Sequence, residues 1–127
     1  MTMQYNVTVQ QGADYKQDFY PHDKDNVTID LTGATARVHV RANVNSQTVL
    51  ADLTTENGGL IIYLDPNPDP ALEFVGAAWA FGFRISAALS SSWSFDKGVY
   101  DFEIVSSSGV VTRELAGTFV LDREITR

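Results

Sequence analysis

Apolar and polar positions alternate with a period of two along most of this chain, which predicts strands rather than helices. The clearest stretch is 98–121. Tyr100, Phe102 and Ile104 alternate with Asp101 and Glu103, and Val111, Leu115, Phe119 and Leu121 form a second apolar set. Between them, Ser106-Ser107-Ser108-Gly109 has the content of a short hairpin loop. The stretch therefore predicts one long antiparallel hairpin with a single apolar face. A two- or four-residue tip pairs Ile104 with Val111 and Tyr100 with Leu115. A three-residue tip would set Phe102 against Glu114, at a desolvation cost, and is rejected. In the favoured register Arg113 falls on the apolar face opposite Phe102, where it must snorkel to an edge or pair with a buried acid. A face this long needs a second sheet to cover it.

The rest of the chain supplies that sheet. Met3, Tyr5, Val7 and Val9 alternate with polar residues, Gly12 breaks the pattern, and 14–19 resumes it. A first strand that bends or changes sheet at Gly12 is expected. Residues 21–26 read as a turn, and Val27-Thr28-Ile29 as a short strand. In 34–41, Ala34, Ala36, Val38 and Val40 face inward while Thr35, Arg37, His39 and Arg41 face outward. A short strand over 48–53 leads to an Asn57-Gly58 turn suited to positive φ. Leu60 to Leu64 is apolar on both faces, which suits a strand that is central or covered from outside.

Pro66, Pro68 and Pro70 remove three backbone donors, so that run should be extended and stiff. Phe83-Arg84-Ile85 reads as a strand. Residues 86–95 read as a crossover with room for one helical turn, anchored by Trp93 and Phe95. Together these elements predict a two-sheet antiparallel β-sandwich of roughly seven strands, with an open barrel as the alternative. No internal repeat and no low-complexity segment interrupts the pattern.

The length of 127 residues corresponds to a single domain, 1–127, with an apolar insertion at 65–82. The formal charge of −7, from 9 Lys+Arg against 16 Asp+Glu, argues against a phosphate-tracking nucleic-acid surface. With no cysteine, disulfides and thiolate metal sites are excluded. Neither a signal peptide nor a membrane-spanning run is visible, so a soluble product of a cytoplasm is expected.

Candidate chemistry is sparse. His22 and His39 lie far apart in the sequence, without the spacing of a zinc site. Asp23-x-Asp25-Asn26 opens like a calcium loop but lacks its glycine and closing glutamate, so an Asx turn is the simpler reading. Asp65 and Asp69 flank the prolines and could share a cation. Asp101 and Glu103 share a strand face, but a solvated acidic face explains them more simply than glycoside hydrolysis. No nucleophile elbow and no glycine-rich phosphate loop occurs. The expectation is a protein that is not an enzyme, with no cofactor, metal or catalytic residue.

The stretch 71–81 stands out instead. Leu72, Phe74, Val75, Trp79 and Phe81 fall within eleven residues, more apolar surface than a solvent loop carries. Either they close one end of the sandwich or they form a contact surface for a neighbouring subunit.

Several of these elements, in this order, resemble a class of small bacteriophage virion proteins. The elements are Val9-Gln10-Gln11-Gly12, Asp30-Leu31-Thr32-Gly33, Ala36-Arg37-Val38-His39-Val40-Arg41, Leu53-Thr54-Thr55-Glu56-Asn57-Gly58, Tyr100-Asp101, Val111-Thr112-Arg113 and the ending Glu124-Ile125-Thr126-Arg127. The match spans nearly the whole chain, and its opening portion is similar to the N-terminal domain of phage upper baseplate proteins. It departs from the pattern over 65–81, where such proteins have a short glycine-rich connection.

The resemblance implies an immunoglobulin-like domain and a structural role in the virion, made in the host bacterial cytoplasm. A tail module at the baseplate or fibre attachment is the first expectation. A capsid decoration (cement) protein is the alternative, and a host-surface carbohydrate-binding module, with Trp79 and Trp93 stacking on sugar, is the second. Expected partners are other virion proteins (tail, baseplate, fibre or capsid subunits) and further copies, as a homo-oligomer or symmetric array, with neither nucleic acid nor membrane.

Overall fold

The alternating stretches fold into strands that cover one another as two sheets. The computed structural model describes residues 2–21, 29–68, 76–123 and 125. In chain order the strands are β1 (Met3–Gln4), β2 (Val7–Gln10), β3 (Tyr15–Phe19), β4 (Thr35–Arg41), β5 (Ala51–Thr54), β6 (Leu60–Asp65), β7 (Ala78–Ile85), β8 (Lys97–Val105) and β9 (Val111–Asp122). A single turn of helix, α1 (Ala87–Ser91), joins β7 to β8.

The larger sheet has the order β9-β8-β4-β5, with β1 and β2 both pairing in parallel along the outside of β9. The smaller sheet has the order β3-β7-β6. In immunoglobulin lettering these are G-F-C-C′ facing B-E-D, so the architecture is an immunoglobulin-like β-sandwich.

The first crossing lies where the break in alternation predicts it. Gly12 has φ +83, a left-handed conformation that glycine adopts without steric cost. There the chain leaves the larger sheet after β2 and enters the smaller one at β3. The crossing is fastened to the α1 turn. Gly12 N–H donates to Ser90 Oγ at 2.9 Å, and Gln11 Nε2 donates to the carbonyls of Ser90 and Trp93 at 3.3 and 2.9 Å. The predicted anchors hold, since Trp93 and Phe95 both pack on Phe119.

The core comes from the inward rows of both sheets. Val38, Val40, Tyr100, Phe102, Ile104, Leu115, Phe119 and Leu121 meet Leu60, Phe81, Phe83 and Ile85. At its centre Phe102 lies 4.9 Å from Phe81 and 5.4 Å from Phe83 between ring centroids. Phe102 stands two residues after Tyr100, where antibody domains place the second half of their inter-sheet disulfide. This cysteine-free chain fills that place with aromatic packing.

Several expectations need correction. The tip of the β8–β9 hairpin spans five residues, 106–110, and Ile104 pairs with Thr112 and Tyr100 with Gly117. A bulge between Phe102 and Glu103 lets the chain step past Glu114, so Phe102 faces Leu115. The bulge turns Arg113 outward, opposite Glu103, where its Nε lies 3.4 Å from Asp101 Oδ2. Val111 is 47% exposed rather than core.

β6, expected to be central or covered, is an edge strand. The apolar insertion ends sooner than position 82, because 78–82 belong to β7, the central strand of its sheet. The readings over 22–28, the short strand at Val27 and Thr28 and the aspartate pair of the calcium-like turn included, lie outside the described residues.

Candidate functional site

Of the five expected interface residues, Leu72, Phe74 and Val75 lie outside the described residues. Trp79 and Phe81 lie on β7 and, by its period of two, share a row with Phe83 and Ile85 that faces the other sheet. Phe81 is 2% exposed and is stacked at 5.5 Å on Phe19. Its ring belongs to the core and cannot anchor a partner while the domain is folded, which corrects that assignment. Trp79 is partly buried against the core and pairs across the strand with Leu64, which is 49% exposed. Leu64 escaped the sequence reading because it precedes the proline run rather than following it.

The outer face of the smaller sheet holds a network that the sequence reading did not find. The outward row of β7 is Ala78, Ala80, Gly82 and Arg84, small for three positions and then charged. Tyrosines from both flanking strands reach across it. Tyr63 on β6 donates to Asp18 on β3 at 2.9 Å, and Tyr20 after β3 donates to Asp65 on β6 at 2.9 Å. Arg84 donates to both Asp18 oxygens, at 2.6 and 3.1 Å, and lies 5.9 Å from the centroid of the Tyr63 ring.

Hydrogen bonding to Asp18 raises the Arg84 pKa, while burial raises those of Tyr63 and Tyr20. All three keep their protons at neutral pH. The signal was present as small residues at every second position from Ala78 to Gly82, which leaves room for side chains from the neighbouring strands.

On the outer face of the larger sheet the charges sit in cross-strand rows. Arg37 Nε binds Glu103 Oε1 at 2.8 Å, and His39 Nε2 lies 3.4 Å from Asp52 Oδ1. Asp101, paired across the strand with His39, meets Arg113. A shallow cavity of about 460 Å³ opens between these rows, lined by His39, Arg41, Val99, Asp101 and Arg113. No serine hydroxyl bonds His39 among the described residues. Nor do three His, Cys, Asp or Glu side chains cluster there as a metal site. Asp101 and Glu103 each face a basic partner on this surface.

The corner motifs are structural. Asp30 Oδ1 accepts from Thr32 N and Oγ1 at 2.9 and 2.6 Å, and those bonds hold its carboxyl below the usual range. Gly33, at φ +75, closes this corner against Ser107. Beside it a small cavity of about 180 Å³ is lined by Leu31, Ala34, Ile104 and Glu114. Burial there raises the Glu114 pKa. Trp93 is 9% exposed and packs on Phe95 and Phe119, so its ring is not presented for sugar stacking.

No protein-family model and no curated protein matches this chain. Among solved structures it is similar to murine CRIg, at 14% identity and a TM-score of 0.36, over 94% of this chain and 92% of that one.

Proposed function

We propose that this chain is a non-enzymatic structural protein of a bacteriophage particle, a tail module at the baseplate or fibre attachment that acts by docking. The observation that supports this reading is where the resemblance-bearing residues lie. Gln11-Gly12 forms the crossing between sheets, Asp30 to Gly33 forms a capped corner, and Asn57-Gly58 forms the turn into β6. These are residues that build a scaffold, and among the described residues Arg37, Arg84 and Arg113 are each held in an ion pair with an acid. The exposed Leu64 beside Trp79 supports docking at that edge of the smaller sheet.

The test is location. Antibody raised against the purified chain should label the tails of particles from the phage that encodes it. Labelling spread over the head would favour a decoration protein instead, and purified particles without the chain would overturn the reading.

A further inference from the structure

An edge strand presents a row of unpaired backbone donors and acceptors, and soluble proteins shield such edges with charge, kinks or brevity. Three of the four edges described here are shielded. β3 carries Lys16 and Asp18 in its outward row. β5 is four residues long and carries Asp52. The edge beyond β9 is covered by two short pieces, β1 and β2, interrupted at Tyr5 and Asn6.

β6 has none of these devices. Leu60-Ile61-Ile62-Tyr63-Leu64 contains no charge, proline or glycine, and its register with β7 runs without a bulge from Leu60 to Asp65. Among the described residues no strand pairs with its outer edge. The first charge, Asp65, lies at its end and accepts a hydrogen bond from Tyr20 across β7.

The backbone of β6 can be sorted by direction. Arg84 N–H donates to the Gly59 carbonyl at 2.8 Å, which turns Gly59 and, by alternation, Ile61, Tyr63 and Asp65 toward β7. The N–H and C=O groups of Leu60, Ile62 and Leu64 therefore point out along the open edge. We propose that a second copy of this chain pairs antiparallel along this edge, about a two-fold axis at Ile62, so that two three-stranded sheets become one. In that register Ile62 faces the partner's Ile62, Leu60 faces the partner's Leu64, and Ile61 faces the partner's Tyr63.

The strand is its own complement. All three outward-pointing residues find bonding partners, each facing pair lies on one side of the sheet, and every pair is apolar or aromatic. The half-exposed Leu64 is covered as a result. The inference rests on the sheet edges alone and holds whether or not the chain belongs to a particle.

A single strand pair buries less than a standard interface of roughly 1,600 Å². Sedimentation of the full chain should therefore show a monomer–dimer equilibrium that shifts with concentration. Leu64→Lys adds an edge charge at an exposed position and should raise the dissociation constant by about tenfold or more. Thr8→Lys, on the β2 edge of the larger sheet, should not. The cysteine-free chain allows a second measurement that does not depend on the strength of the dimer. Ile62→Cys places two thiols across the axis, where hydrogen-bonded strand partners lie about 5.5 Å apart between Cα atoms, within disulfide range. Under mild oxidation it should cross-link far faster than Leu64→Cys, which faces a leucine. A chain that stays monomeric at every concentration would overturn the proposal. So would a dimer indifferent to Leu64→Lys, or equal cross-linking of the two cysteine variants.

Discussion

Phe102 on β8 faces Leu115 on β9, and the residue that would otherwise stand opposite it, Glu114, is stepped over by a bulge. The five-residue tip on its own imposes the same pairing parity as a three-residue one. Carried along the whole hairpin, that parity would set a carboxylate against the central ring of the core. One inserted residue restores an apolar partner and moves Glu114 to a small cavity at the end of the sandwich.

Phe102 is fully buried and touches both Phe81 and Phe83. Phe102→Ala should cost about 3–5 kcal/mol, the usual loss for a buried aromatic side chain. Denaturant unfolding measures it, and a loss below about 1 kcal/mol would mean that the inter-sheet core is not built around this ring.

Glu114 gives a pH dependence whose sign follows from its burial. Its pKa is raised in the folded state, so folding favours the protonated form. The contribution is fully present below the unfolded value of about 4.3 and is lost as pH rises through the folded value. Glu114→Gln cannot ionise. Its melting temperature should exceed that of the parent at neutral pH, with the difference closing toward pH 4. A difference that does not change with pH would show that Glu114 is solvated.

Gly82 lies on the outer face of the smaller sheet, paired with Asp18 of β3. A Cβ there would fall 2.1 Å from the Gln17 carbonyl oxygen and 2.6 Å from Asp18 Oδ1. Gly82→Ala must displace backbone as well as side chain, at a cost of about 1–3 kcal/mol. It should also pull Asp18 away from Arg84 and Tyr63. Arg84→Met tests the same network from the other side, leaving a partly buried carboxylate with the tyrosine hydroxyl alone, at about 1–3 kcal/mol. If the two losses add in the double variant, the two sites act independently.

The alternation carried the fold because each strand buries one face, so Val38, Val40, Tyr100, Phe102 and Ile104 announce themselves by spacing. Register was less legible. A bulge leaves no mark in a two-residue period except an awkward neighbour, and Glu114 was that mark. Edge and centre were also confused. β6 is apolar on both sides, as a central strand would be, but its outer side chains lie against small residues of β7 and are tied down by tyrosine hydroxyls. The apolar stretch 71–81 could not be divided by composition, because Phe81 and Phe74 look alike until the period of β7 is known. The Asp18–Tyr63–Arg84 network joins residues far apart in the chain, and only strand order brings them together.

The last prediction concerns Tyr100, whose hydroxyl donates to the Tyr5 carbonyl at 2.6 Å and so ties β8 to the junction between β1 and β2. That junction is where the first strand is interrupted. Gly117 leaves room for it, since a Cβ at this position would lie 2.3 Å from the same carbonyl oxygen. Burial raises the Tyr100 pKa, so the hydroxyl stays a donor across the physiological range. Tyr100→Phe keeps the ring in the core and removes only the bond, which should cost about 1 kcal/mol. The loss should be local. Hydrogen exchange should speed up at the amides of Met3 and Tyr5, which face β9, while those of β4 and β7 keep their protection. Gly117→Ala should loosen the same junction by pushing the carbonyl away, and at greater cost, because the backbone must move. Uniformly faster exchange across both sheets in Tyr100→Phe would mean that the bond supports the whole sandwich rather than its first strand.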